Sequence, residues 1–536
     1  RSRGLGDVYK RQLKYLNRAL LVLLLAAFAA CSDNEGGNES NGNGDDGNTE
    51  TPADGDTYGY IKDTNGNSVE GVVVSDGYSC TATDAEGRYA LTRNADAGFV
   101  FYSLPSAYKV SVDKTYKLPR FFARLQAGTA RYDFTLEALA APEKRFDLIC
   151  IGDPQINEAS HAVRFKEEAG REIREYAASA GVPCYGITLG DHVNNKWTLF
   201  TNMVVALQPE QTGVPVFATI GNHDHEFPTA DEKAARAKYE SYFGPVDYSF
   251  NRGDVHVVSM DNVIHSCKAS ADYEGGFTAA QYEWLKQDLS FVPKDKMVIL
   301  CVHIPFRGGW GTNSAHADAD KYYDEVLDLL SQYEYAAIMS AHTHSNINHI
   351  HTKNGKEIFE HITGTSCGAW WRSTVCTEGT PIGFGIYRID GAAMKEWTYK
   401  SVQHDEEFQI RLYRGSDKFT GGGDASYYFS KKNAGQIVAN IWNWDPAWTV
   451  NVYENGAKTG TMTQYSDKDA WTVAYHIGIL NNSSSYNKST DHMFYYTLTN
   501  PAADVKVEAI DRFGNKYEQT VFTDPDSHPG IYHLDL

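Results

Sequence analysis

The sequence predicts an α/β protein in three parts: a central domain of strands alternating with helices, an N-terminal β-sandwich before it and a C-terminal β-rich domain after it. Three observations carry this. At 536 residues the chain exceeds what one hydrophobic core fills, so about three domains are expected. Between residues 145 and 395 short apolar runs alternate with amphipathic stretches, the pattern of α/β layers. On either side, alternating runs break at Asn-Gly, Glu-Gly and Phe-Gly turns, the pattern of sheets.

Residues 1–12, RSRGLGDVYKRQ, match nothing that follows and read as a read-through or cloning scar. Lys14 and Arg18 then precede an apolar run from Ala19 to Ala30. As helix that run spans about 18 Å, too short for a bilayer core of about 30 Å, and its order of basic, apolar and small residues is that of a signal peptide. It stops at Cys31 and resembles the lipobox of bacterial lipoproteins, with Phe28 where Leu is usual. The resemblance implies lipidation of Cys31 and an exported, membrane-anchored protein. Residues 32–56 read as a disordered tether: Ala53 is the one apolar side chain between 32 and 54, and the reach as coil is roughly 25–30 Å.

Residues 57–141 read as a β-sandwich. Gly59, Asp63, Gly66, Val69, Gly71, Thr83, Asp84, Gly87 and Tyr89 give it a pattern that resembles transthyretin-like, carboxypeptidase-regulatory-like modules. In residues 142–395 the expected strands are FDLICIG, CYGITLG, VPVFATIG, DVHVVSM, KMVILCV and YAAIMSA. Helical patterns lie at 161–181, 230–244 and 319–333. Residues 396–536 alternate again and suggest a small sandwich. Cys150, Cys184 and Cys301 fall inside strand patterns as core residues. Cys367 and Cys376 are close enough to pair in an oxidising compartment.

The chemistry sits where the apolar runs end. ICIGDPQ ends in Asp153 and Gln155, GITLGDHVNN in Gly190, Asp191 and Asn194, and FATIGNHD in Asn222, His223 and Asp224. ILCVHIPF ends in His303, and IMSAHTH in His342 and His344. In open α/β sheets ligands bind outside the carboxyl ends of the strands, so five polar termini meet in one crevice. Mixed carboxylate, amide and imidazole donors suit two divalent ions (Mn, Fe, Zn or Mg), and the absence of thiolate argues against a structural zinc site.

The ordered series over roughly 145–395 resembles the calcineurin-like metallophosphoesterase superfamily: D-x-H, G-D-x-x-x-[ND], G-N-H-[DE], a lone H and G-H-x-H. The resemblance implies the αββα sandwich of that superfamily. It implies a first metal held by Asp153, Gln155, Asp191 and His344, and a second held by Asp191, Asn222, His303 and His342. Asp191 would bridge the two. It further implies His223 as general acid, with Asp224 accepting its ring N–H. Two positions depart from the pattern. Gln155 stands for the usual His, a neutral and weaker donor, and Ala341 stands for Gly, so the backbone there must be ordinary. His192 and His225 receive no role. Arg307, Trp310, Trp370, Trp371 and Arg372 are candidate substrate contacts, since Arg clamps phosphate and Trp stacks on rings.

The net charge of −20 opposes binding to nucleic-acid backbones, hence a nuclease, but not a phosphorylated small molecule, lipid or protein held through cations. The competing class is a surface-anchored binding protein with a degenerate phosphoesterase domain. The intact donor set disfavours it.

Overall fold

The computed structural model describes residues 55–307, 321–415, 435–483 and 486–520. Cys31, the expected leader, all but the last two residues of the expected tether, and Trp310 lie outside them. No described helix is long and apolar enough to cross a membrane.

Eleven strands build the centre: β1 (Arg145–Ile151), β2 (Cys184–Leu189), β3 (Val216–Thr219), β4 (Tyr248–Arg252), β5 (Val255–Ser259), β6 (Met297–Cys301), β7 (Tyr335–Ser340), β8 (Ile347–Lys353), β9 (Lys356–Ile362), β10 (Gly383–Asp390) and β11 (Ala393–Ser401). One sheet runs in the order β3-β2-β1-β10-β11 and the other β4-β5-β6-β7-β9-β8. Strands β1, β2 and β3 are parallel, as are β5, β6, β7 and β9. All six expected strands are present. They read as unbroken apolar runs because parallel strands are covered on both faces.

Side-chain alternation sets the layers. Leu148 and Cys150 of β1 join the cluster that contains Ile299 and Leu300 of β6, so they face the second sheet. Ile149 and Ile151 join the cluster of Phe165, Ile173, Met203 and Tyr239, so they face the helices. Those helices are Ala159–Phe165 and Arg171–Ser179, linked by a π turn, with Phe200–Leu207 and Glu232–Phe243. The second sheet packs on Ala279–Ser290, where Trp284 and Leu285 are fully buried, and on Tyr323–Leu330. Helix Ala279–Ser290 starts at a capping box: Thr278 accepts from Gln281 N, and the Gln281 side chain reaches back to Thr278. The result is a helix–sheet–sheet–helix sandwich.

Before it, strands Arg88–Leu91, Thr57–Asp63 and Phe134–Leu136 form one sheet. Cys80–Ala82, Val73–Ser75, Phe99–Tyr102 and Phe122–Arg124 form another. After it come two four-stranded sheets, one through Gln436–Asn440 and Ser489–Thr497 and one through Thr449–Glu454 and Val505–Ile510. A helical stretch at Ala470–Val473 interrupts this β region, which strand patterns alone did not suggest. Cys150, Cys184 and Cys301 are buried as expected. The expected Cys367–Cys376 pairing is not made: both thiols are free and turn to Thr365, at 3.6 and 3.7 Å from its hydroxyl.

Candidate metal centre

The expected donors follow their strands closely. Asp153, Asp191, His303 and His342 stand two residues beyond β1, β2, β6 and β7, and Asn222 three beyond β3. Both sheets therefore deliver polar side chains to one edge of the sandwich. The turns that do this are sharp. Asp153, Gln155, Asp191, His342 and His344 have φ of 37, 36, 51, 63 and 55°, a region non-glycine residues seldom occupy and one that concentrates at functional sites. Ala341 is not among the positive-φ residues; the left-handed turn falls on its neighbour His342 instead. Gly190, at φ 95°, leaves room for His303, whose Nδ1 would lie 2.4 Å from an added Cβ.

All seven expected donors come together. His303 Nε2 lies 2.9 Å from Asn222 Oδ1, 3.1 Å from His342 Nδ1 and 3.4 Å from Asp191 Oδ1. Gln155 Nε2 donates to Asp191 Oδ2 at 3.1 Å, and His342 N donates to Asp153 Oδ2 at 3.1 Å. His344 Nε2 is 3.8 Å from Asp153 Oδ1. Asp191, His303 and His342 each offer a ligand atom within 4.8 Å of the others.

The buried acceptors of this cluster call for positive charge. His303 Nδ1 donates to the Leu189 carbonyl at 2.7 Å. In the neutral ring its Nε2 presents a lone pair, and it faces an amide oxygen, a carboxylate oxygen and a second imidazole nitrogen. Four acceptors then converge on one point, which either a proton on Nε2 or a metal ion in its place relieves. Asp153 Oδ1 and Gln155 Oε1, both buried, have no hydrogen-bond partner among the described residues. Burial alone would lower the His303 pKa, but the charge and hydrogen bond of Asp191, with Asp153 and the Leu189 carbonyl, together lift it to about 9. Burial and then the charge of His303 drive His342 well below its ordinary value. Burial pushes Asp153 well above the usual carboxylate range. The donors fit divalent ions: oxygens and imidazoles, desolvated, with no thiolate.

The expected partner of His223 is corrected. Its Nδ1 lies 2.8 Å from Asn195 Oδ1, and Asn195 Nδ2 donates on to Ser270 Oγ at 2.9 Å. Asp224 is fully buried elsewhere. It takes His192 Nδ1 at 2.9 Å and the backbone N–H groups of His192, Val193 and Gly221 at 2.8, 3.2 and 3.0 Å. It ties the loop after β2 to the loop after β3 and does not touch the His223 ring. The residue at the site in GDHVNN is Asn195, not Asn194; counting four places on from Asp191 in the expected G-D-x-x-x-[ND] pattern finds it. His192 and His225 are buried second-layer groups, the latter bonded to the Gly221 carbonyl and Asp261.

Of the substrate candidates, Trp370 stacks on His344 with ring centroids 4.6 Å apart. Arg372 is exposed, 5.7 Å over the Tyr486 ring. Two candidates are corrected. Trp371 is 6% exposed, and its indole N–H donates to the Pro154 carbonyl at 2.9 Å, which makes it packing. Arg307 points to Asp491 of the C-terminal sheets at 2.8 Å. Two residues near the donors carry no sequence signal. The Tyr273 hydroxyl is 3.3 Å from His342 Nε2, and Lys488 Nζ donates to the Thr343 carbonyl, between the two histidines, at 3.0 Å.

Three models of one family match the chain in succession: the N terminal of calcineurin-like phosphoesterase over 56–139, calcineurin-like phosphoesterase over 133–346 and its C terminal over 360–517. Purple acid phosphatase 23 of Arabidopsis thaliana is 26% identical over 181 residues, 31% of this chain and 36% of that protein. Purple acid phosphatase 18 of the same plant is 25% identical over 182 residues, 32% and 38%. The match thus spans little more than a third of either relative. Among solved structures, the purple acid phosphatase PPD1 of yellow lupin aligns at TM-score 0.33 and 15% identity, covering 49% of this chain and 53% of that one. The 5'-nucleotidase of Candida albicans aligns at 0.31 and 13%, covering 49% and 52%. With three models of one family following one another between residues 56 and 517, the chain belongs to the calcineurin-like phosphoesterase family.

Proposed function

We propose that the protein hydrolyses a phosphoester using two divalent metal ions. The observation that carries this is the convergence of the Asp191, Asn222 and His342 ligand atoms on His303 Nε2, with Asp153 Oδ1 and Gln155 Oε1 buried and unpartnered beside them, a cluster that calls for positive charge and that divalent ions supply. In this reading Asp153, Gln155, Asp191 and His344 hold one ion, and Asp191, Asn222, His303 and His342 hold the other. Bound there, the pair supplies an activated water and neutralises charge on the phosphoryl oxygens. The chain does the rest. Asn195 fixes the tautomer of His223 by accepting from Nδ1, which leaves Nε2 to carry the proton given to the leaving oxygen. Trp370, stacked on His344, borders the site as a substrate contact, and the exposed Arg372 two residues on is offered as a second. The substrate is a phosphorylated small molecule, lipid or protein; a surface binding protein with a degenerate domain would not need seven converged donors.

Chelation is expected to abolish hydrolysis of aryl phosphate esters, and one of Mn²⁺, Fe²⁺, Zn²⁺ or Mg²⁺ to restore it. The affinity carries a pH signature. His303, raised to about 9, and Asp153, raised well above the usual carboxylate range, both hold protons that metal must displace, so apparent affinity rises with pH below that value. Calorimetry in buffers of different ionisation enthalpy would read the released proton. A protein that binds no metal, or binds it without pH dependence, would end this reading.

The leader and Cys31 support anchoring of the protein by lipid, outside the cytoplasm. Labelling of cells with a palmitate analogue should tag the wild type and not Cys31→Ser; equal tagging would refute it.

A further inference from the structure

His342 turns Nδ1 inward, 3.1 Å from His303 Nε2 and among the donors. A neutral imidazole that offers the lone pair of one nitrogen carries its hydrogen on the other. That Nε2–H has the hydroxyl of Tyr273 as its partner, at 3.3 Å. Ring nitrogens facing away from a metal usually give their hydrogen to a carboxylate or a carbonyl, which have none of their own. A tyrosine hydroxyl differs. Having accepted from His342, it still has its own hydrogen to donate, and His342 is the one hydrogen-bond partner of that hydroxyl among the described residues.

The element that carries Tyr273 is fixed. Strands Val263–His265 and Tyr273–Gly275 pair as a hairpin. His265 N donates to Glu232 Oε1 at 3.0 Å, and Gly275 packs so closely that an added Cβ would meet Tyr323 Oη at 2.5 Å. The tip of the same hairpin bears Ser270, which holds Asn195, the partner of His223. One hairpin thus sets a free hydroxyl donor beside the donors and steadies the residue that orients the general acid.

We propose that Tyr273 binds a non-bridging oxygen of the substrate phosphoryl group through its O–H, while accepting from His342. This rests on the phosphoesterase reading above. No bond to Tyr273 forms or breaks in the step; its hydrogen shifts toward the oxygen as negative charge grows there.

The test compares full-length wild type and Tyr273→Phe, which keeps the ring edge-on to His342 at 5.7 Å, both loaded with Mn²⁺. Metal per chain by mass spectrometry, inorganic phosphate affinity by calorimetry and kcat/KM for an aryl phosphate are measured. Expected are unchanged metal content and a loss of about 10–100-fold in both phosphate affinity and kcat/KM, the span of one hydrogen bond to a charged group. Unchanged phosphate affinity overturns the proposal. So does a loss that disappears at saturating Mn²⁺, because Tyr273 would then act only through His342. A wild type that neither binds Mn²⁺ nor turns over ester fails one level earlier, at the phosphoesterase reading, and is told apart by that control.

Discussion

Asp191→Ala is expected to leave the protein folded but with fewer than two metal ions per chain, and to slow ester hydrolysis by about 10³–10⁴-fold. Asp191 is 1% exposed and touches both halves of the centre: His303 Nε2 at 3.4 Å through Oδ1, and Gln155 Nε2 at 3.1 Å through Oδ2. Its charge and hydrogen bond, with Asp153 and the Leu189 carbonyl, lift His303 to about 9 against burial. Without that carboxylate the cluster loses the charge that draws cations in, and both proposed ions lose a shared ligand. Several kcal/mol of transition-state stabilisation come from such ions, and each 1.36 kcal/mol is tenfold in rate. Asp191 Oδ1 also accepts from the backbone N–H of His223 at 2.9 Å, so Asp191→Asn serves as the control that keeps an acceptor while removing the charge. Circular dichroism separates folding from loading, and mass spectrometry counts the metals. Two ions per chain and wild-type turnover in Asp191→Ala would refute the bridging role.

Much of the fold was legible because parallel strands buried on both faces spell continuous apolar runs, and each run names its own carboxyl end. ILC before Val302-His303 and IMS before Ala341-His342 place their histidines without further information. What neighbours do to each other was not legible. His223 and Asp224 are adjacent, yet Asn222–Asp224 is a 3₁₀ turn, and at three residues per turn successive side chains diverge by about 120°. Asp224 accordingly swings inward to His192 while His223 turns to Asn195. Trp370 and Trp371 also part: both have positive φ, one ring lies on His344 and the other donates its N–H to the Pro154 carbonyl. Tyr273 stood 69 residues from His342 in a hairpin that no motif marks. Lys488 comes from just before the C-terminal strand Ser489–Thr497, in a region whose sequence showed only strand alternation. Contacts made by the meeting of distant elements leave no spacing to count.

His223→Ala is expected to separate proton donation from metal binding. The backbone N–H of His223, not its ring, bonds Asp191, so removing the imidazole leaves the donor cluster in place and metal content at the wild-type level. The ring itself is only half-buried and held at Nδ1 by Asn195, with Nε2 available to a leaving group. A general acid contributes about 10²–10⁴-fold, and the contribution depends on how badly the departing oxygen needs the proton. An alkyl phosphate should therefore lose the full factor. An aryl ester whose phenol is already acidic should lose far less, because its oxyanion leaves unaided. Asn195→Ala should fall between, since the ring stays but its tautomer and aim are no longer fixed. Rates across a series of leaving groups decide the matter: a steeper dependence on leaving-group pKa in His223→Ala than in wild type is the expected result. Equal losses for all esters, or a loss that follows depleted metal, would move His223 from proton donor to scaffold.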